Sequence, residues 1–98
     1  EESRAVILGG SGQGEAVVAN RFPNVRAAVF YGGNLDVIKL SREHNDANIL
    51  SIGARFVKEE EGKSALKLWL ETPFSGDKRH IRRLLEIDRM EESLYKTP

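Results

Sequence analysis

An α/β domain with a parallel sheet is the fold class that the sequence predicts, and three observations carry it. Apolar runs of strand character recur at residues 5–8, 25–31 and 49–56, with segments of helical periodicity between them. The first run stops at a turn that holds four glycines in six positions, Gly9, Gly10, Gly12 and Gly14, and a helix starts from it. A strand, helix, strand unit of this kind closes as a right-handed parallel crossover. Ligands of open parallel sheets collect at the carboxyl ends of the strands, which is where the glycine turn falls. A chain of 98 residues has room for one such domain, residues 1–98, and not for two cores.

Each element has a local reason. Ala16, Val17, Ala19 and Asn20 carry the first helix behind the turn, and Phe22-Pro23-Asn24 breaks it. Residues 25–31 read as a buried strand that Gly32 and Gly33 end. Asn34 is placed to cap a helix that turns Leu35, Val37, Ile38 and Leu40 toward the sheet and runs out near Glu43. The polar series His44-Asn45-Asp46-Ala47-Asn48 leads into the third strand, 49–56. Residues 58–70 form an amphipathic helix with its acids early, stopped before Pro73. Its charge run reads as a solvated face, and Trp69 as a packing residue. A last helix runs from about residue 77 to 94, with Ile81, Leu84, Leu85 and Ile87 among its apolar positions.

Composition narrows the function classes. Fifteen basic residues balance fifteen acidic ones, so no global field points to nucleic acid or to an anionic membrane. The absence of cysteine excludes disulfides, thiolate metal sites and a cysteine nucleophile. No apolar run approaches the roughly 20 residues needed to span a bilayer, and no signal segment opens the chain, so a cytoplasmic location is expected. The chain begins at Glu1 and enters its first strand within a few positions, so the N-terminus reads as a cut.

The glycine turn is built for an anion, because its backbone can approach a ligand closely and the helix start offers free N–H groups. A P-loop would need Lys and then Ser or Thr where this chain has Glu15 and Ala16. The dinucleotide pattern fails as well, since Glu15 stands where its last glycine belongs. A ring of N–H donors with a carboxylate beside it suits proton abstraction next to a carbonyl, followed by stabilisation of the oxyanion. The plainer reading of Glu15 is a first-turn acid that offsets the helix dipole.

Three more groups qualify. Arg79 and Arg83 lie four apart on one helix face, the spacing of a two-armed phosphate clamp, and Arg55 at the end of the third strand adds another cation. Taken singly, each is also an ordinary surface charge. His44 follows a helix, where histidine is common for electrostatic reasons. In a parallel sheet it falls at the end away from its own glycine turn, so it reaches a catalytic pocket there only across a subunit interface.

Four motifs occur in one order: Gly9-Gly10-Ser11-Gly12-Gln13-Gly14-Glu15, Arg42-Glu43-His44-Asn45-Asp46-Ala47-Asn48, Gly53-Ala54-Arg55 and Arg79-His80-Ile81-Arg82-Arg83. Together they resemble the family of ribose-5-phosphate isomerase B and galactose-6-phosphate isomerase, over residues 4–90. The resemblance implies a Rossmann-like three-layer subunit, of which this chain supplies three of five parallel strands plus a C-terminal helix. It implies aldose–ketose interconversion of a sugar phosphate, ribose 5-phosphate to ribulose 5-phosphate, through a cis-enediolate and without metal or cofactor.

The implied roles follow the motifs. Glu15 matches the glutamate base of one branch of the family, and Gly9 occupies the place of the cysteine used in the other. Ser11 and the backbone of Gly10, Gly12 and Gly14 would stabilise the enediolate. His44 would open the furanose ring with Asn45 beside it, and Arg55, Arg79 and Arg83 would hold the phosphate. A homodimer or dimer of dimers with shared active sites is implied, with no nucleic-acid or membrane partner. The family's opening strand, which ends in Asp-His, has no counterpart before Ala5, so the chain is expected to be the C-terminal portion of a subunit. The alternative is a non-catalytic phosphate-binding or assembly module derived from that family.

Overall fold

The computed structural model describes residues 3–95, in the order β1 (Ala5–Gly9), α1 (Gln13–Ala19), β2 (Ala27–Phe30), α2 (Asp36–Glu43), β3 (Ile49–Gly53), α3 (Glu59–Glu71) and α4 (Lys78–Tyr95). The strands form one parallel sheet in the order β1-β3-β2, the α/β arrangement that the apolar runs predict. Ala5 pairs with Ile49 and Gly9 with Gly53 on one side of β3; Ala27 pairs with Ile49 and Phe30 with Ile52 on the other. All three carboxyl ends therefore point one way.

Alternation along β3 divides the molecule into layers. Leu50 and Ile52 turn to the side of α2 and α3, where they pack with Phe30, Ile38, Ala65 and Trp69. Trp69 is fully buried, the packing role predicted for it. Ser51 turns the other way, toward α1, and its hydroxyl donates to the Gly12 carbonyl at 2.6 Å. β1 stands at the edge of the sheet with Val6 and Leu8 exposed, Leu8 to 70%.

Some boundaries differ from expectation. β2 begins at Ala27 rather than residue 25, because side-chain amides satisfy the backbone before the ladder starts. Asn48 Oδ1 accepts from Arg26 N at 2.8 Å, and Asn20 Oδ1 accepts from Ala27 N at 2.8 Å. β3 ends at Gly53 rather than Phe56, because the chain turns there to donate from Ala54 and Arg55 to the carbonyls of Gly9 and Gly10. Asn34 Oδ1 does accept from Asp36 N at 2.8 Å, as a cap should. Of the residues expected to face the sheet from α2, Ile38 is buried and Leu35 packs against the core, but Val37 and Leu40 are exposed. Ser41 and Arg42, three and four residues after Ile38, take the inner face instead.

Candidate active site

The predicted site residues fall into two groups at opposite ends of the sheet. Ser11, the loop glycines, Glu15 and Arg55 lie at the carboxyl ends of β1 and β3. His44, Asn45, Arg79 and Arg83 lie at the amino end of β3. The span of β3 alone separates the two ends by about 13 Å, at about 3.3 Å per residue.

At the carboxyl end the glycine loop is pinned by its carbonyls. Gly9 O accepts from Ala54 N at 2.7 Å and Gly10 O from Arg55 N at 3.0 Å. Among the described residues every peptide is trans, so the N–H groups of Gly10 and Ser11 point away from the turn that holds those carbonyls. Gly12 has φ 77°, and a Cβ there would lie 3.0 Å from Gly53 N, so both conformation and close approach demand glycine. Ser11 Oγ accepts from Gln13 N at 3.3 Å, which leaves its proton available to a ligand.

Glu15 is exposed, yet it does not extend into solvent. Its carboxylate folds back over Gly9, with Oε1 2.6 Å from the point a Cβ at residue 9 would occupy. The Arg55 guanidinium lies over Gly10 in the same way, with Nη2 3.1 Å from the corresponding point. A carboxylate and a cation thus stand over consecutive glycines, beside outward-facing amides. Arg55 itself sits in the turn after β3, not in the strand. An apolar groove of about 580 Å³ opens beside Glu15, lined by Ile7, Val18, Phe22, Val25 and Ile49. Tyr31 and Phe56, both exposed, meet edge to face at 6.5 Å at the same end of the sheet.

At the amino end the polar series divides its labour. Asp46 and Asn48 point inward: Asp46 pairs with Arg42 at 2.8 Å and Arg26 at 3.5 Å, and Asn48 Nδ2 donates to Asn24 O at 2.8 Å. His44 and Asn45 point toward α4. Arg83 Nη2 donates to His44 O at 2.8 Å and to Asn45 Oδ1. The His44 ring stacks on that of His80, centroids 4.2 Å apart and planes within 23°. Arg79 stays at the surface, its side chain 69% exposed and 4.0 Å from the Asp77 carboxylate.

Two groups here titrate away from their ordinary values. Burial holds the His80 imidazole below its usual range, aided by the charges of His44, Arg79 and Arg83 and opposed by Asp77. The backbone N–H of Arg79 holds the Asp77 carboxyl below its own, aided by the charges of Arg79, His80 and His44.

Sequence reasoning gave no role to Arg42, which is 1% exposed and organises this end. Its Nε donates to Thr72 O at 3.0 Å and its Nη1 to Ala47 O at 2.7 Å, in addition to the Asp46 pair. The available signal was its place four residues after Ile38 on the inner face of α2, with an acid four residues further on. His80 was equally unassigned, though it lies inside a quoted motif. A larger cleft, about 670 Å³ between the turn before β2 and α4, is lined by Asn24, Asp88, Arg89 and Glu91 and contains none of the predicted residues. Among the described residues, no three or more His, Asp or Glu side chains gather to hold a metal ion, and no helix is long and apolar enough to cross a membrane.

Known proteins resemble the chain in sequence and in fold. Residues 1–87 match the family described as Ribose/Galactose Isomerase. The chain is 36% identical over 94 residues to the ribose-5-phosphate isomerase B of Mycobacterium tuberculosis, covering 93% of this chain and 57% of that protein. It is 34% identical over 92 residues to that of Escherichia coli, covering 94% and 60%. The solved type B ribose 5-phosphate isomerase of Trypanosoma cruzi superposes with a TM-score of 0.88 at 40% identity, covering 93% of this chain and 59% of that one. The chain thus spans somewhat over half the length of these relatives, and throughout that span sequence and fold agree: it belongs to the ribose/galactose isomerase family.

Proposed function

We propose that this chain is the C-terminal portion of an aldose–ketose isomerase subunit that interconverts ribose 5-phosphate and ribulose 5-phosphate. The observation that carries the reading is the Glu15 carboxylate folded over Gly9 beside the outward amides of Gly10 and Ser11. Isomerisation needs one base that takes a proton from C2 and returns it to C1, and donors that hold the oxygen of the cis-enediolate between those steps. Glu15 is the base; the Ser11 hydroxyl and the N–H groups of Gly10, Ser11, Gly12 and Gly14 are the donors. Arg55, expected with Arg79 and Arg83 on the phosphate, stands over Gly10 at this end of its own subunit instead and lends positive charge here.

His44, with Asn45, opens the furanose ring, and Arg79 and Arg83 hold the phosphate. These groups stand at the other end of the sheet. From C1 to phosphorus the sugar phosphate runs through four C–C bonds, a C–O and an O–P bond, each about 1.5 Å, and does not bridge the about 13 Å between the two ends. The reading therefore includes a homodimer in which the amino end of one subunit faces the glycine loop of the other, as a two-fold axis allows. The open β1 edge, with Val6 and Leu8 exposed, is accounted for by further strands of the same subunit standing beside it.

The test is turnover of ribose 5-phosphate by the full-length protein carrying Glu15→Gln. The amide keeps the shape and loses the base, so kcat falls by about 10²–10⁴-fold. A rate near that of the wild type removes Glu15 as the base and leaves a phosphate-binding or assembly module as the better description.

A further inference from the structure

The part of α4 that the reaction does not yet use is His80. It is 4% exposed, one face of its ring is stacked on His44, and each of its nitrogens faces a guanidinium. Nδ1 lies 3.2 Å from Arg83 Nη1, and Nε2 lies 3.4 Å from Arg79 Nη2. A guanidinium only donates, and a neutral imidazole has a single in-plane lone pair, so only one of these contacts is a hydrogen bond at any moment. The shorter one, at Nδ1, involves the arginine already fixed through His44 O and Asn45 Oδ1. The proton then resides on Nε2, where it confronts Arg79 donor to donor. Arg79 gains nothing from His80 and stays turned to solvent, ready for an anion.

We propose that His80 is a positioning residue whose neutral Nε2–H tautomer locks Arg83 through Nδ1 while its ring face fixes the imidazole of His44. Phosphate grip and ring opening would then be set by one buried side chain. Titratable and charged groups face it from both sides of the contact: Asp77 just before α4, Arg79 and Arg83 on α4, and His44 at the end of α2. The inference rests on the assignment of His44, Arg79 and Arg83 to the substrate, and its test separates the two.

Nitrogen-15 shifts of His80 in the unaltered full-length protein near pH 7 should show Nε2 protonated and Nδ1 as a bare acceptor; an Nδ1–H ring or an imidazolium overturns the proposal. Titration with inorganic phosphate, followed by calorimetry and by the ring resonances of His44, supplies the second arm. His80→Phe keeps the stack and loses the acceptor, so phosphate affinity should drop about tenfold while His44 resonances stay near their wild-type positions. His80→Gln supplies an acceptor without the aromatic face; affinity should recover to within about threefold and the His44 resonances should move. Should His80→Phe bind phosphate as the wild type does, the proposal is wrong and the arginine clamp survives. Should the wild type not bind phosphate, the clamp falls and the proposal with it. If His80→Phe does not fold, the tautomer measurement decides.

Discussion

A methyl group at Gly9 tests the position of the Glu15 carboxylate without touching the carboxylate. The Cβ of Gly9→Ala would stand 2.6 Å from Glu15 Oε1, where ordinary contact begins at 3.4 Å, so the carboxylate must withdraw by about 1 Å. Displacement of a catalytic group on that scale costs about 10²-fold in rate. The backbone raises no objection to alanine, since Gly9 is not among the glycines with positive φ. Glu15 is an exposed side chain at the start of α1 and retreats into solvent at little cost. Alanine also restricts the unfolded chain, which stabilises by about 0.4–1 kcal/mol. The expected signature is therefore opposed in sign: the thermal midpoint holds or rises while kcat falls about 10²-fold with KM little changed. In a Glu15→Gln background the same substitution should cost almost nothing further, because both changes remove one interaction. Steady-state turnover of ribose 5-phosphate and a thermal melt check both halves. A Gly9→Ala protein with wild-type kcat would refute the placement of the base; one that loses rate only in proportion to a collapsed melting point would refute the reasoning from geometry.

Three further outcomes are expected. If the site is shared between subunits, Glu15→Gln and His44→Ala proteins, each inactive, should regain about a quarter of wild-type activity when unfolded together and refolded as a mixture, because half the dimers are hybrids with one intact site; no recovery would place both residues in one subunit's site or in none. Arg42→Met should destabilise by about 3 kcal/mol in urea unfolding, since it strips the Thr72 and Ala47 carbonyls and one Asp46 contact of a buried partner; a loss under about 1 kcal/mol would contradict that role. Stability should also fall in acid. His80 is held below its ordinary value of 6.5, so the unfolded chain takes up its proton first, and the stabilisation is complete above 6.5 and lost as pH drops through the folded value. Asp77 adds a loss of the same sign below its ordinary 3.8. Urea midpoints measured across this range should show the decline, and His80→Gln should flatten the upper part; a midpoint that climbs as pH falls from 6.5 would contradict the sign.

The sheet was legible because periodicity and apolar runs carry it: 5–8, 25–31 and 49–56 all mark real strands, even where side-chain amides trim their ends. The position of His44 at the end away from its own glycine turn followed from parallel topology alone, whereas the separation of Arg55 from Arg79 and Arg83 did not. What periodicity cannot show is a side chain that reverses on itself. Residues 9 and 15 are six apart in sequence, and only the turn through Gly12 at φ 77° brings the carboxylate back over the glycine. Nor does pattern reveal which polar residue on a buried face is an organiser. Arg42 and Ser51 interrupt apolar faces and read as blemishes until their partners, the Thr72, Ala47 and Gly12 carbonyls, are seen. His80 was hidden among three arginines in its motif, because burial of one residue in such a run depends on what packs against it.

The two ends of the sheet are held by different physics, and this predicts how they respond to change. At the carboxyl end, backbone holds backbone: the Gly9 and Gly10 carbonyls are fixed by main-chain N–H groups, and the proposed base and cation, Glu15 and Arg55, are exposed side chains. At the amino end, side chains hold the turn: Arg42, Asp46 and Asn48 fix the loop from within, while Arg83 and His80 fix His44 and Asn45 from without. Substitutions near the glycine loop therefore separate rate from stability, as Gly9→Ala should. Substitutions around His44 move both together, since Arg83, proposed to grip the phosphate, also satisfies the His44 carbonyl and the Asn45 amide oxygen, and the buried His80 packs against the His44 ring.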